Sequence, residues 1–274
     1  MTENVHWASS TRVAAANRWE RPSAEMGQGA TDALVELAQA SPAMQVLDVA
    51  CGTGAPALQI ARLIAPSGHV TATDLAPDPL LVAAERARER GLVNLSFQRA
   101  DVQALPFPDE SFDLLTCRFG VMFFPDLPRA LGEMRRVLRP GGRVALLAWG
   151  PFEQPYFDCT AGVVMRHTGA SLPPPAAAMF KFAAPGSLAS ALRQAGFPRA
   201  QDEIRAVPWV WHDSIAELWE YFQAVTIPFR PLLEQVRPEQ RDAIARDVHA
   251  AFEPYWDGKQ VDLTAKVVLA SGTR

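Results

Sequence analysis

The sequence is poor in cysteine. Three residues, Cys51, Cys117 and Cys159, stand far apart and in no C-x-x-C spacing. That pattern excludes a disulfide framework, a zinc knuckle and a thiol-rich metalloid site, and no metal is expected. Charge is sparse as well: 20% of residues are Asp, Glu, Lys or Arg, and the formal net charge is −4. A chain that neutralises phosphates carries a basic excess, so no nucleic-acid partner is expected. The arginines within 86–90 and 135–139 fall on expected helix surfaces and read as solvated faces. Long apolar runs are missing. Val144–Trp149 is the longest and is far too short for a bilayer, so no stable membrane insertion is expected. The first twelve residues lack the apolar run with basic flanks of a secretory signal. With so few cysteines, the reading is a cytoplasmic chain.

What is present is alternation. Gln45–Val49 is a short β-like run that ends in Gly52-Thr53-Gly54, and Pro56 suits the first turn of a helix bearing Leu58, Ala61 and Ile64. Further strands are expected at 70–73, 93–97, 112–117 and 144–149. Between them, Leu80, Leu81, Ala84 and Ala87 recur at helical spacing, and so do Leu127, Leu131, Met134 and Leu138. Pro140-Gly141-Gly142 reads as the turn that stops the second of these helices. Such alternation builds a parallel sheet with helices on both faces. After Gly150, residues 151–185 read as a crossover with one helix. A helix opened by Ser187, a strand near 204–210, a helical block and a final strand at 261–270 complete the chain. The block begins with the capping pair Ser214 and Glu217, and Ile215, Leu218, Trp219, Phe222 and Val225 form one stripe. The expectation is an α/β fold: a doubly wound, mostly parallel, seven-stranded, Rossmann-like sheet with a helical lid inserted before the last strand.

The chemistry is concentrated at the first strand's end. Val46-Leu47-Asp48-Val49-Ala50-Cys51-Gly52-Thr53-Gly54 joins strand, glycine turn and helix, placing backbone N–H groups and a helix N-terminus around a ligand. Twenty residues beyond Gly54, Asp74 ends the next strand, where a carboxylate accepts both hydroxyls of a ribose. Asp101 follows the third strand. The turn also fits G-x-G-x-x-A, which keeps an NAD(P)-dependent oxidoreductase open as an alternative. Asp48 weighs against it, because a carboxylate just inside the turn repels a pyrophosphate and suits an ammonium. The Tyr-x-x-x-Lys match at Tyr255 and Lys259 contains Gly258 and reads as chance.

These residues resemble class I S-adenosylmethionine (SAM)-dependent methyltransferases, in the style of those of ubiquinone and menaquinone biosynthesis. The resemblance covers residues 40–150. Beyond the glycine turn and Asp74, it rests on Ala100-Asp101-Val102, on Pro106-Phe107-Pro108 leading to Ser111-Phe112-Asp113, and on Arg136-Val137-Leu138-Arg139-Pro140-Gly141-Gly142. It implies that Asp48, Ala50, Cys51, Gly52, Thr53 and Gly54 hold the methionine part of SAM. It also implies that Asp74 binds the ribose, Leu75 packs on the adenine, and Asp101 and Val102 read the adenine edge. Cys117, Arg118 and Phe119 then line the methionine and substrate side. Ala50 stands where many members have glycine, a change the turn tolerates at negative φ. Residues 1–40 would form a helical segment over the cofactor, residues 41–210 the SAM-binding core, 211–260 the lid and 261–274 the last strand.

The expected reaction is methyl transfer to an oxygen or carbon, less readily a nitrogen, of a small and largely apolar acceptor. A non-catalytic SAM-binding protein of the same fold is the remaining alternative. The fourth strand is followed by Cys117-Arg118-Phe119-Gly120 and not by the Asn/Asp-Pro-Pro-aromatic motif of enzymes that methylate amide or base nitrogens. Aromatic residues thicken around the expected pocket. Trp19, Met26, Phe119 and Phe123 are the acceptor candidates, with Trp7 a further aromatic near the start of the chain. His167 and His212 are candidates for a base, whereas His69, which precedes a strand at the sheet's opposite end, reads as structural.

Overall fold

In the computed structural model, residues 18, 19 and 21–274 are described; Trp7 therefore lies outside the described residues. The apolar runs pair as the alternation demands. β1 (Gln45–Val49) lies parallel to β2 (His69–Asp74), and β2 to β3 (Leu95–Arg99). On its other side β1 pairs with β4 (Phe112–Arg118), which carries β5 (Leu138–Trp149). β6 (Gln201–Trp211) and β7 (Val261–Thr273) complete the sheet, with β7 antiparallel to both β5 and β6. The order is β3-β2-β1-β4-β5-β7-β6. Strand order reverses between β1 and β4, and the carboxyl ends on either side of that reversal are where open α/β sheets bind ligands.

The central strands are buried along both faces: Leu114, Leu115, Thr116 and Cys117 of β4 and Val144–Ala148 of β5 are at most 1% exposed. Helices must therefore cover both sides. α1 (Gln28–Ala38) packs on β4, β5, β6 and β7 and meets α2 (Ala55–Ile64), which meets α3 (Pro77–Glu89) over β2 and β3. α4 (Leu127–Val137) packs on β5; α5 (Ala161–Thr168) follows in the crossover, and α6 (Ser187–Gln194) packs on α4, β6 and β7. Between β6 and β7 stand α7 (Ile215–Val225) and α8 (Arg241–Phe252), in mutual contact. Ser214 caps α7 by accepting the Glu217 amide at 3.2 Å. Leu218 and Phe222 of the expected stripe are fully buried, as are Val248 and Phe252 of α8; each contributes about 1.5–3 kcal/mol by leaving water.

The strands and helices depart from the sequence reading in four places. Val93 is 95% exposed, and β3 starts only at Leu95. The Asn94 amide donates to the carbonyls of Ala61 (2.8 Å) and Gly68 (3.1 Å), which fixes a turn where strand was expected. Pro140-Gly141-Gly142 lies inside β5 and is no helix stop, because α4 already ends at Val137. The extra residues bulge out between the pairs Phe112–Leu138 and Leu114–Arg143, with Gly141 at φ 79°. The crossover holds several helical pieces instead of one, the short turns Pro155–Asp158 and Pro174–Ala177 beside α5. Proline in a first turn has its φ preset and lacks only an amide that would be unpaired anyway, so each proline starts a short helix. The last strand runs on to Thr273.

Candidate functional site

The site grows from β1. Asp48 is fully buried near the end of that strand, opposite Thr116 of β4. The Thr116 hydroxyl donates to Asp48 Oδ1 at 2.7 Å, while Asp48 Oδ2 is buried with no partner among the described residues. Burial disfavours the charged form, and with the negative field of Asp74 it outweighs the Thr116 hydroxyl, Arg118 and the Ala57 amide that faces the carboxyl, so the carboxyl is pushed up to about 7. A buried carboxyl with one oxygen unpaired is costly to leave so, and a cationic or hydrogen-donating ligand group would relieve it.

Around Asp48 the chain turns tightly. The Cys51 amide donates to the Thr73 carbonyl and the Gly54 amide to the Cys51 carbonyl, both at 2.9 Å. Gly52 (φ 54°) and Gly54 (φ 89°) occupy the left-handed region that glycine adopts freely. A side chain at Gly52 would meet nothing within 4 Å, so its backbone borders open space. Thr53 is tied down from α3: Arg86 donates to its carbonyl at 2.9 Å and to its hydroxyl at 2.8 Å.

Asp74 joins this turn to the next strand end. Its Oδ2 accepts the Gly52 amide and its Oδ1 the Ala76 amide, each at 2.9 Å. Two amides leave the carboxylate with free lone pairs, enough for a pair of hydroxyls. The neighbouring strand end is stitched alongside: the Ala100 amide donates to the Asp74 carbonyl at 3.0 Å, and Arg99 Nε to the Leu75 carbonyl at 3.0 Å. Leu75 is 58% exposed and Val102 half-buried, while Asp101 is exposed with Oδ1 accepting the Gln103 amide at 2.8 Å. An apolar side chain left in water beside acids on two strand ends is the kind of surface a heterocycle covers.

Ala50 overturns an expectation. Negative φ is the condition under which its methyl suits the turn, yet it sits at φ 51°. The left-handed region costs an L-residue roughly 1–2 kcal/mol, which the surrounding fold must offset. Phe119, just beyond β4, is also left-handed at φ 55°. The tips of the two strands flanking the switch point thus each hold a strained non-glycine residue, a distribution typical of ligand sites.

Beyond β4 the surroundings change. Cys117 is fully buried, and burial raises its thiol pKa, so it is inert as a nucleophile. The Arg118 guanidinium is enclosed, and desolvation pulls it down to about 10. Its Nη2 donates to the Gly27 carbonyl at 3.0 Å, its Nε has no partner among the described residues, and its Cζ lies 5.0 Å from the Phe119 ring centroid. Phe119 stacks on Trp149 at 4.5 Å, Trp149 meets Trp209 edge-on at 4.9 Å, and Tyr156 lies 6.0 Å from Trp209.

The other sequence candidates are spread more widely. Met26 is buried, and Trp19 packs on Trp211 and Tyr221 at 5.8 Å each, so Trp19 leans on the helical insertion. Ser23 and Tyr221 share a hydroxyl hydrogen bond of 2.8 Å. Phe123 is half-buried in the short turn Val121–Phe123. His167 bonds Asp247 of α8 at 2.7 Å, and His212 bonds Gln260 at 2.9 Å; both histidines already hold partners on or beside the insertion. A groove of about 710 Å³ lies between residues 21–28 and α3, lined by Arg21, Glu25, Glu85 and Arg86 among others. It flanks the glycine turn and does not include the strand ends.

Sequence reasoning missed Thr116 and Gly27. A threonine inside the apolar run of a central strand was the available signal for the first. A backbone carbonyl leaves no signal for the second.

A model of the family described as "ubiE/COQ5 methyltransferase family" matches residues 30–170. The chain belongs to that family. It is a SAM-dependent methyltransferase. Among curated relatives it is 29% identical to nocamycin O-methyltransferase of Saccharothrix syringae, over 87% of this chain and 88% of that protein. It is 40% identical to the ubiquinone/menaquinone biosynthesis C-methyltransferase UbiE of Shewanella halifaxensis, over 45% of this chain and 49% of that protein. The demethylmenaquinone methyltransferase of Thermus thermophilus is 44% identical over 43% of this chain and 52% of that enzyme. The match thus spans about half the length of these last two relatives. The fold is shared with YcgJ of Bacillus subtilis, at TM-score 0.58 and 21% identity, covering 89% of this chain and 97% of that one. It is also shared with phosphoethanolamine N-methyltransferase 2 of Haemonchus contortus, solved with SAM, at TM-score 0.57 and 16% identity. That likeness covers 97% of this chain and 60% of the other. Among the described residues, no helix of this ubiE/COQ5 member is long and apolar enough to cross a membrane.

Proposed function

We propose that this methyltransferase modifies an oxygen or carbon of a small, flat, largely apolar molecule, held between the β1–β4 strand ends and the aromatic rings beyond them. The observation that carries the reading is a juxtaposition. Phe119, on the residue after Arg118, connects the charged end of the site, with the unpaired Asp48 oxygen, to the rings of Trp149 and Trp209. The names of the relatives, an O-methyltransferase and several C-methyltransferases, support the same choice of acceptor atom.

The residues present fit SAM. Asp48, buried with a free oxygen, suits the ammonium of its amino-acid part, and the open backbone at Gly52 suits close approach of the rest. Asp74 takes the ribose hydroxyls on the lone pairs its two amides leave free. Leu75 and Val102 cover the adenine, and Asp101 accepts from its amino group. Ala50, Cys51, Thr53 and Gly54 shape the turn. Cys117 fills space beneath it, and Arg118 closes the methionine side while holding residues 21–27 through the Gly27 carbonyl. Trp19, Met26 and the insertion 211–260 act as the cover, with Phe123 at its edge.

When bound, SAM supplies a methyl group already activated on a sulfonium. The chain's task is then orientation and exclusion of water, which contributes on the order of 7–11 kcal/mol where reactants are held in line. His167 and His212 keep their structural partners in this reading, and no dedicated base is assigned.

The test is incubation with methyl-labelled SAM and a panel of phenols, hydroxyquinones, enolic diketones and amines. Labelled ethers or C-methyl products are expected. Label appearing only on amines overturns the acceptor assignment, and failure to bind S-adenosylhomocysteine overturns the site itself.

A further inference from the structure

We propose that the indole N–H of Trp209 holds an oxygen atom of the methyl acceptor and so selects for phenolic or enolic molecules. This rests on the acceptor reading above.

Trp209 is 5% exposed, and its Nε1 is buried with no hydrogen-bond partner among the described residues. Buried tryptophan N–H groups usually find a partner, because a desolvated donor left unpaired is costly. Its rings satisfy the packing without needing the donor. Trp211, two residues on and on the same side of β6, shows the ordinary arrangement: its Nε1 donates to the Ser214 carbonyl at 3.2 Å. The contrast within one strand singles out Trp209.

The sheet register places it. Trp149, the last residue of β5, pairs with Val267, while Trp209 pairs with Leu263. β7 runs antiparallel to β5, so Leu263 and Trp209 lie beyond the carboxyl end of β5, on the side where the glycine turn and Asp74 end their own strands. Trp209 is therefore at the rim of the site, edge-on to Trp149 at 4.9 Å and to Phe119 at 6.3 Å. Phe119, Trp149 and Tyr156 line this corner with packed rings, which offer an oxygen little. The Tyr156 hydroxyl is fully enclosed and already bonded to Thr226. The neutral indole donor supplies what the rings lack. A hydrogen bond to an oxygen carrying partial negative charge also favours the ionised form of a phenol or enol, without a base.

The experiment uses the whole protein saturated with S-adenosylhomocysteine and two probes: 2-naphthol, and 2-fluoronaphthalene, which keeps the shape but lacks the oxygen. The wild type is expected to bind both, with 2-naphthol tighter. Trp209→Phe keeps a ring and removes the N–H. It is expected to weaken 2-naphthol about tenfold, while 2-fluoronaphthalene and S-adenosylhomocysteine stay within twofold. In the wild type, the Trp209 indole N–H proton resonance, assigned by sequential triple-resonance NMR, is expected to move downfield with 2-naphthol and hold still with 2-fluoronaphthalene; this measurement needs no folded variant. Equal loss of both probes, an unmoved resonance, or no binding of 2-naphthol despite bound S-adenosylhomocysteine would each overturn the proposal. Absence of S-adenosylhomocysteine binding in the wild type removes the cofactor reading and this one with it.

Discussion

Gly120 leaves the space that the Ala50 methyl occupies. A Cβ built at Gly120 would lie 2.6 Å from Ala50 Cβ and 2.8 Å from Cys117 Sγ. Gly120 itself has an ordinary φ of −99°, so what it supplies is room and not backbone freedom. The tips of β1 and β4 thus interlock through one missing side chain and one strained one.

This relationship predicts a mutant cycle. Ala50→Gly removes the left-handed strain, partly offset by greater freedom of the unfolded chain, and is expected to stabilise by about 0.5–1 kcal/mol. Gly120→Ala forces overlap in a packed tip and is expected to cost about 1–3 kcal/mol. The double variant is expected to recover part of that loss, because one of the two obstructing atoms has gone. Urea unfolding of the four proteins measures it, and strict additivity would contradict the interlock.

Asp74→Ala is expected to weaken S-adenosylhomocysteine by about 1.5–3 kcal/mol, the range for hydrogen bonds to a charged group. Part of that loss passes through Gly52, whose amide loses its acceptor. Titration calorimetry checks it; unchanged affinity would mean that the ribose lies elsewhere.

Asp48 gives the site a pH dependence. Its carboxyl, raised to about 7 by burial, is neutral below that pH and attracts an ammonium only above it. Affinity for S-adenosylhomocysteine is therefore expected to fall as pH drops from 8 to 6, approaching tenfold per unit below 7. Asp48→Asn is expected to flatten the profile. Stability of the free protein runs the opposite way. A carboxyl whose folded pKa exceeds its unfolded value, near 3.9, favours folding fully below 3.9 and loses that contribution as pH rises through 7. Thermal melting of the free protein and of Asp48→Asn between pH 4 and 8 tests this; parallel curves would refute it.

Arg118→Met keeps the apolar stem and drops the bond to the Gly27 carbonyl. Affinity for S-adenosylhomocysteine is expected to fall about tenfold, near the worth of one hydrogen bond made by a charged group. Trypsin cleavage after Arg18 is expected to quicken, because Gly27 loses its anchor to β4. Unaltered cleavage would show that Trp19 and Ser23 hold that segment by themselves.

Much of this architecture was legible before any coordinates, for a local reason. Asp48, the turn Gly52–Gly54 and Asp74 are defined by strand ends and glycine conformations, which short windows of sequence encode. The helical stripe of α7 was readable for the same reason, since period and capping are local. What sequence does not encode locally is which distant residues meet. Thr116 reaches Asp48 because β4 lies beside β1, and the Arg118 bond to Gly27 joins residues 91 apart along the chain. Ala50 was misjudged because a dihedral sign depends on the strands either side. The helices of the crossover were undercounted because runs of four residues give no period to read.

The pairing of β6 with β7 has a broader consequence. The two strands stay in continuous antiparallel register from Gln201–Ser271 to Trp211–Val261, and the helical insertion hangs from their shared end. A graft from a relative spliced in at positions 212 and 260 would therefore begin and end on neighbouring, already hydrogen-bonded positions, and the sheet need not shift to receive it. With the insertion covering the acceptor as proposed above, specificity for new acceptors can evolve, or be engineered, as a cassette exchange on an unchanged cofactor platform.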